Sequence, residues 1–80
     1  MRIWNDRETR ANALAEHCER EADLLDRLAH DVDCFIITLA GEGDDVASQT
    51  FDACDAAARA LRRFAQAIAA QIESGSLRKE

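Results

Sequence analysis

The residues most capable of chemistry in this 80-residue sequence are its histidines, cysteines and carboxylates. His17 and His30 each lie four residues from a carboxylate, Glu21 and Asp26 respectively, and residues four apart share one face of a helix. Carboxylate-bridged di-iron bundles instead place a glutamate three residues before each histidine, which neither histidine has. No nucleophile is found beside a base and an orienting acid. The sequence therefore predicts no catalytic residue, no cofactor and no metal centre.

The three cysteines, Cys18, Cys34 and Cys54, follow no zinc-binding or redox spacing, so reduced thiols are expected. Cys18 and Cys54 belong to apolar series, where cysteine is usually a small buried hydrophobe, and folding the chain about Glu42 separates them. Cys34 leaves those series and shares an outer face with Ile37. We predict a small apolar partner patch at Cys34 and Ile37, with Val46 as a third candidate member. The equal alternative is that these are scattered apolar residues on the surface, which are common.

The stretch TLAGEGDDVASQTF, residues 38–51, has the glycines and carboxylates of a phosphate or calcium loop. A phosphate loop needs a preceding strand and the GxxxxGK[ST] spacing, and a calcium loop needs oxygen ligands at alternating positions that end in a glutamate. Neither pattern is present. We predict a plain turn in which Gly41 ends the first helix, Gly43 allows the reversal, and Asp44 or Asp45 caps the second helix.

In the first half of the chain, apolar residues recur every seven positions, which is typical of a helix with one buried stripe. The series is Trp4, Ala11, Cys18, Leu25, Val32 and Leu39, and Leu14, Leu28 and Phe35 follow three places after members of it. We predict a helix over residues 6–40. Asn5 and Glu8 have the spacing of a capping pair at its start, in which each side chain accepts a hydrogen bond from the other residue's backbone N–H.

The second half repeats the seven-residue pattern. Its series are Ala47, Cys54, Leu61 and Ile68, then Phe51, Ala58, Ala65 and Ile72 four places on, with Ala57 and Phe64 between them. We predict a helix over residues 45–73, a turn at 41–44 and a polar tail over 74–80. Gly75 marks the point where this helix ends.

These patterns predict an all-α, antiparallel two-helix hairpin that dimerises into a four-helix bundle. A hairpin alone cannot cover so wide an apolar stripe, and a chain of this size needs further burial to be stable. Alanines let the two helices approach closely, so that larger side chains project toward a second hairpin, either another copy or a relative. The residues predicted for the core and dimer interface are Leu14, Leu25, Leu28, Val32, Phe35, Leu39, Phe51, Leu61, Phe64, Ile68 and Ile72.

The charge of the chain excludes several partners. A net charge of −6 argues against nucleic acid, whose binding depends on basic residues, and against an anionic membrane surface. No apolar run approaches the ~18 residues that span a bilayer, and the first residues lack the features of a signal peptide. We expect a protein that is made in the cytoplasm, does not insert into membranes and, if exported, uses no cleaved leader.

One basic cluster stands out in this acidic chain. Arg59, Arg62 and Arg63 are expected to balance the acidic first helix rather than to recruit an anion. Glu21 occupies a position where its series otherwise has leucine, and antiparallel folding is expected to bring it near Arg62 or Arg63, where a half-buried polar residue can fix helix register.

The bend and the start of the second helix resemble a known family. Leu39-Ala40-Gly41, then Gly43-Asp44-Asp45 and Phe51 on an alanine-rich helix, are similar to the Trp-x-Gly small substrates of bacterial type VII secretion, especially their degenerate actinobacterial relatives. Leu39 stands where the family has tryptophan, and the chain has no tyrosine for the family's Tyr-x-x-x-Asp/Glu export signal. The resemblance implies a hairpin that pairs into a four-helix bundle as a secreted adaptor, virulence factor or toxin partner, with the export signal carried by the other member of the pair.

Three functions follow from these patterns. We predict a non-enzymatic helical interaction module, a type VII secretion-associated substrate or adaptor that acts as a homodimer or heterodimer. The alternative is a cytoplasmic homodimeric bundle of regulatory or chaperone type, which would cover an exposed helix of a client. A metal- or thiol-based sensor that uses Cys34 or His30 is the third hypothesis.

Overall fold

The computed structural model describes residues 5–34 and 42–78, and within them the chain is helical without strands. Helix α1 spans Asp6–Asp33, helix α2 spans Glu42–Ser74, and a short 3-10 turn spans Ser76–Arg78. The two helices pack against each other along their length as a hairpin. The predicted all-α hairpin is therefore confirmed.

A capping box begins α1, as the sequence predicts. The Glu8 backbone N–H donates to Asn5 Oδ1 at 2.8 Å, and the Asn5 backbone N–H donates to Glu8 Oε1 at 3.2 Å. The Asn5 amide also donates to the carbonyl of Leu77 at 3.4 Å, and Glu8 is fully buried. These contacts satisfy backbone donors that a helix start leaves unpaired, and they join the first turn of α1 to the C-terminal turn.

Two predicted boundaries near the bend are wrong. Helix α1 ends at Asp33 with Cys34 as its C-cap, not at residue 40, and the sequence that follows, "FIIT", is rich in β-branched residues that lower helix propensity. Helix α2 already begins at Glu42, so Gly43 and Asp44 belong to a helix rather than to the turn, and Asp45 does not cap it. Glycine in a helix costs only about 1 kcal/mol relative to alanine, which the long second helix tolerates.

Several predicted residues lie outside the described part of the chain. They are the core residues Phe35 and Leu39, the patch residue Ile37 and the turn residue Gly41.

The end of α2 follows the predicted glycine signal. Gly75 adopts a φ of +74° and its N–H donates to the carbonyl of Ile72 at 3.1 Å, which is the left-handed residue that commonly ends a helix. The predicted polar tail needs a correction, however. Leu77 in the 3-10 turn packs against the core beside Ile72, because the turn folds this apolar side chain back onto the open end of the hairpin.

The contact line between the helices is built from small residues. We call this line the seam; its buried apolar members are Ala15, Cys18, Ala22 and Ala29 on α1 and Cys54, Ala58, Ala65, Ile68 and Ile72 on α2. Among the predicted core residues, Ile68 and Ile72 are buried, and Leu25, Val32, Phe51 and Leu61 are half-buried. Leu14, Leu28 and Phe64 are exposed because the alanines hold the helices together along a narrow line that the larger side chains do not enter.

The hairpin is thin, and its core is a narrow one along the seam. Its principal extents are 56 × 19 × 14 Å and its radius of gyration is 17.7 Å, against about 12 Å for a compact domain of this length. Its accessible surface is 6282 Å², about 1,500 Å² more than the ~4,800 Å² expected for a compact monomer of this mass. One hairpin thus leaves a large area that a folded domain would bury.

Candidate interaction surface

The seam divides the hairpin surface into two flanks. Each seven-residue repeat has two positions that face the seam, such as Ala58 and Leu61 in α2. Each residue turns the helix by about 100°. The residue before this pair, Ala57, and the residue after it, Arg62, therefore lie on opposite sides of the seam. Arg62 follows Leu61 and Asp26 follows Leu25, and these two charged side chains contact each other. The corresponding sides of the two helices therefore face the same way.

The flank away from Arg62 is apolar. Every large hydrophobic side chain that is exposed among the described residues lies on it: Leu14 46%, Leu24 53%, Leu28 47%, Val46 56% and Phe64 50% exposed. Together with the alanines between them on α2, they form the apolar flank, which comprises Leu14, Leu24, Leu28, Val46, Ala53, Ala57, Ala60, Phe64 and Ala67. Such a patch on one side of a small protein is typical of an interaction surface.

The two helices contribute different side chains to the apolar flank. On α1 the leucines alternate with polar residues, including His17 and Glu21, whose Nε2 and Oε1 atoms are 3.7 Å apart. On α2 the flank positions from residue 53 to residue 67 hold only alanine and Phe64. One edge of the flank therefore has projecting leucines and the other is a shallow alanine groove with a single aromatic ring.

The opposite side, which we call the acidic flank, is polar along both helices. Its residues are Thr9, Asn12, Glu16, Glu19, Asp23, Asp26, His30 and Asp33 on α1 and Asp45, Ser48, Asp52, Asp55, Arg59, Arg62, Gln66, Ala69 and Glu73 on α2. Nine of them are carboxylates and two are arginines, and Ala69 is the one apolar residue in this set. A second copy approaching this flank would meet charge of the same sign.

Arg62 links the two helices across the acidic flank. Its guanidinium donates to Asp23 Oδ1 at 2.9 Å and to Asp26 Oδ2 at 2.5 Å. The hydrogen bond to Asp26, then the one to Asp23, raise the pKa of Arg62 above its ordinary value. Arg59 instead pairs with Asp55 on its own helix at 3.1 Å.

The prediction that Glu21 lies near Arg62 or Arg63 differs from the contacts in the structure. Glu21 lies on the apolar flank with His17, and Asp23 and Asp26 are the acidic partners of Arg62. The reason is rotational: residue 21 and residue 26 point to opposite sides of the seam. The expectation that the arginines balance the acidic first helix holds for Arg62.

The cysteines have two distinct environments. Cys18 and Cys54 are buried in the seam, as the sequence predicts, and Cys34 is exposed; all three are free thiols. Cys34 Sγ lies 3.4 Å from His30 Nε2, one helical turn back. Among the described residues no cluster of three or more histidine, cysteine or carboxylate groups has the arrangement of a metal centre.

Sequence reasoning missed part of the apolar flank. Leu24, one helical turn before Leu28, was not predicted, and neither were Ala53, Ala60 and Ala67 on α2. Val46 was predicted to be exposed, but in a patch with Cys34 and Ile37 rather than on this flank. The signal was a second stripe, parallel to the buried one, that is visible once the seven-residue repeat is fixed on the buried alanines.

Neither described helix has the combination of length and hydropathy that a bilayer-crossing segment needs.

Comparison of the chain with protein-family models, with curated proteins and with solved structures finds no match.

Proposed function

We propose that this protein is a non-enzymatic interaction module whose apolar flank binds a second copy of the chain, so that two hairpins form a four-helix bundle. The observation that carries the proposal is the collection of exposed large apolar side chains, from Leu14 to Phe64, on one flank of the seam.

The surface area supports association. The excess of about 1,500 Å² over a compact monomer is larger than the ~800 Å² that each partner contributes to a stable interface of standard size. Covering the apolar flank would give the hairpin the second layer that folded domains need.

The shape of the flank favours a second copy as the occupant. A two-fold axis parallel to the helices places α1 of one hairpin over α2 of the other. In the hairpin, residues of the two helices whose numbers sum to about 84 lie at about the same height, since Asn5 contacts Leu77 and Asp23 contacts Arg62. Leu24 and Leu28 of one copy would then lie over Ala57 and Ala60 of the other. Leucines over alanines in both directions make a self-complementary, closed interface.

Charge supports the same choice of side. The acidic flank carries its carboxylates away from the proposed interface, and like charges suppress association through that side. Dimerisation through the apolar flank leaves the acidic flanks on the outside of the bundle, in water.

We further propose that the bundle serves as a substrate or adaptor of type VII secretion, on the basis of the family resemblance at residues 39–65. Co-expression with a secretion system and measurement of the chain in the culture medium tests this part. Retention in the cells under every condition would favour the cytoplasmic regulatory alternative, whereas the dimer itself is tested separately.

The dimer is tested with two alanine substitutions on one helix. Ala60 and Ala69 are both exposed in the hairpin, but Ala60 lies on the apolar flank and Ala69 on the acidic flank. Ala60→Glu should weaken association by about a hundredfold or more because it buries a charge in the interface, while Ala69→Glu should leave it unchanged.

Light scattering of the purified proteins gives the measurement. We expect wild type and Ala69→Glu near twice the chain mass of 8.9 kDa and Ala60→Glu near the chain mass, with the helical circular-dichroism spectrum kept at high protein concentration. A wild-type chain that stays monomeric, or an Ala60→Glu dimer, would contradict the proposal.

A further inference from the structure

We propose that His17 and Glu21 make association through the apolar flank depend on pH, with the dimer strongest when His17 is protonated. The inference rests on the proposed dimer and adds its regulation. His17 Nε2 lies 3.7 Å from Glu21 Oε1, and the two side chains keep 60% and 48% of their surface exposed in the hairpin. They lie between Leu14 and Leu24 on the flank, so a copy that covers these leucines also covers the pair.

The pair faces an apolar surface in the proposed dimer. Residues whose numbers sum to about 84 lie at about the same height, and a two-fold axis parallel to the helices keeps this height between the copies. His17 of one copy would then lie over Ala67 of the other, and Glu21 over Phe64. The side chains of alanine and phenylalanine neither donate nor accept hydrogen bonds. The imidazole and the carboxylate therefore depend on each other for a polar partner at this contact.

Other charged residues close to the pair are directed to water. On α1, Glu16 and Arg20 are its neighbours in sequence, and both are exposed, Glu16 on the acidic flank. On α2 of either copy, Arg63 is at the height of Glu21 and is also exposed. Both arginines lie on the side of their helix opposite the seam, where water and salt screen their charge. Among the described residues, His17 is thus the one cation that contacts Glu21.

Proton uptake lowers the cost of covering the pair. At about pH 8 a histidine of ordinary pKa, about 6.5, is neutral, so covering Glu21 would leave a carboxylate without a counter-charge, which is costly. At about pH 6 the imidazolium pairs with the carboxylate, and the covered pair has no net charge. The dimer therefore binds the proton more tightly than the monomer does. The additional association is present at the lower pH and is lost as the pH rises toward the higher one.

Sedimentation equilibrium of the reduced chain at these two pH values tests the inference. We expect the wild-type dissociation constant to fall about tenfold or more from the higher to the lower pH, because each dimer holds two such pairs. His17→Gln should lose this dependence and associate weakly at both. Glu21→Gln should reverse the dependence. It removes the covered carboxylate, so the dimer tightens at the higher pH, and it leaves a protonated His17 unpaired at the lower pH.

His30→Gln is the matched control, because His30 is the other histidine of the chain and lies exposed on the acidic flank. It should keep the wild-type dependence. All three substitutions are at exposed positions, so each variant is expected to keep its helical spectrum. A wild-type dimer with equal dissociation constants at the two pH values would overturn the inference and leave the dimer standing, and so would a His17→Gln dimer with the wild-type dependence. A wild-type chain that is monomeric at both would contradict the proposed function as well.

Discussion

The two flanks of this hairpin lie on either side of the same seam and are built from the same two helices, yet they differ in almost every residue. The apolar flank presents leucines, alanines and Phe64 to solvent, with His17 and Glu21 between the leucines of α1, and the acidic flank presents carboxylates and the Arg62 pairs. The narrow alanine seam buries little of the apolar surface, so large apolar side chains stay exposed on one flank, while the other flank is polar. This difference is the reason why we propose that the hairpin associates through its apolar side.

The largest expected effect comes from breaking the seam on which both flanks depend. Ala58 is fully buried, so Ala58→Asp places a charge between the helices and should cost about 3 kcal/mol or more, with loss of the hairpin and of association together. Ala56→Asp, two residues away on the exposed surface, is the control and should change little. Circular-dichroism melts measure both, and a stable, helical Ala58→Asp variant would show that the seam is wrongly placed.

The next effect separates association from folding. Phe64 is half exposed in the hairpin, so Phe64→Ala should cost the isolated hairpin little but should weaken the dimer about tenfold or more through loss of an aromatic anchor. Sedimentation equilibrium gives the dissociation constant. Gln66→Ala on the acidic flank is the control. Equal dissociation constants for Phe64→Ala and wild type would place the interface elsewhere.

A smaller effect is expected from the capping box at the start of α1, which is part of neither flank. Asn5→Ala removes one half of the capping box and the hydrogen bond to Leu77, and should lower the free energy of unfolding by about 1 kcal/mol. Urea unfolding at fixed protein concentration measures it. Asn12→Ala, which loses an exposed contact with Glu16, is the comparison, and a larger loss for Asn12→Ala would contradict the role of the cap.

The smallest effect is expected on the acidic flank. Arg62→Gln removes the cross-helix pairs with Asp23 and Asp26, and exposed ion pairs contribute little because water and salt screen them. We expect a slight fall in melting temperature that disappears at high salt, with the dimer intact. Arg63→Gln is the control. If Arg62→Gln abolished dimerisation, the acidic flank would be part of the interface after all.

Local signals in the sequence predicted local structure well. The Asn5–Glu8 capping box and the glycine that ends α2 depend on residues three or four positions apart, so their spacing can be read directly. The bend was predicted less well. Gly43 and Asp44 look like a turn by composition, but a helix of 33 residues outweighs the small penalty of a glycine in its first turn.

The candidate surface was predicted only in part. The sequence indicated that Leu14, Leu28 and Phe64 would project beyond the helix pair. It did not include Leu24, it grouped Val46 with Cys34 and Ile37, and it placed Glu21 beside the arginines. Those errors have one cause: a wide apolar stripe does not reveal which of its edges turns inward. A rotation of each helix by one residue step would expose a different set.

The sequence by itself determined that this protein is two long helices with a seven-residue period, a capped start and a glycine end, because period and capping depend only on neighbours along one helix. Only the tertiary structure decided which of the alanines lie in the seam, that Arg62 pairs with Asp23 and Asp26, and that Leu14, Leu24 and Phe64 share one exposed flank. The rotation of each helix about its axis is fixed by contact with the other, since close packing of small residues brings the backbones together and turns the larger side chains out.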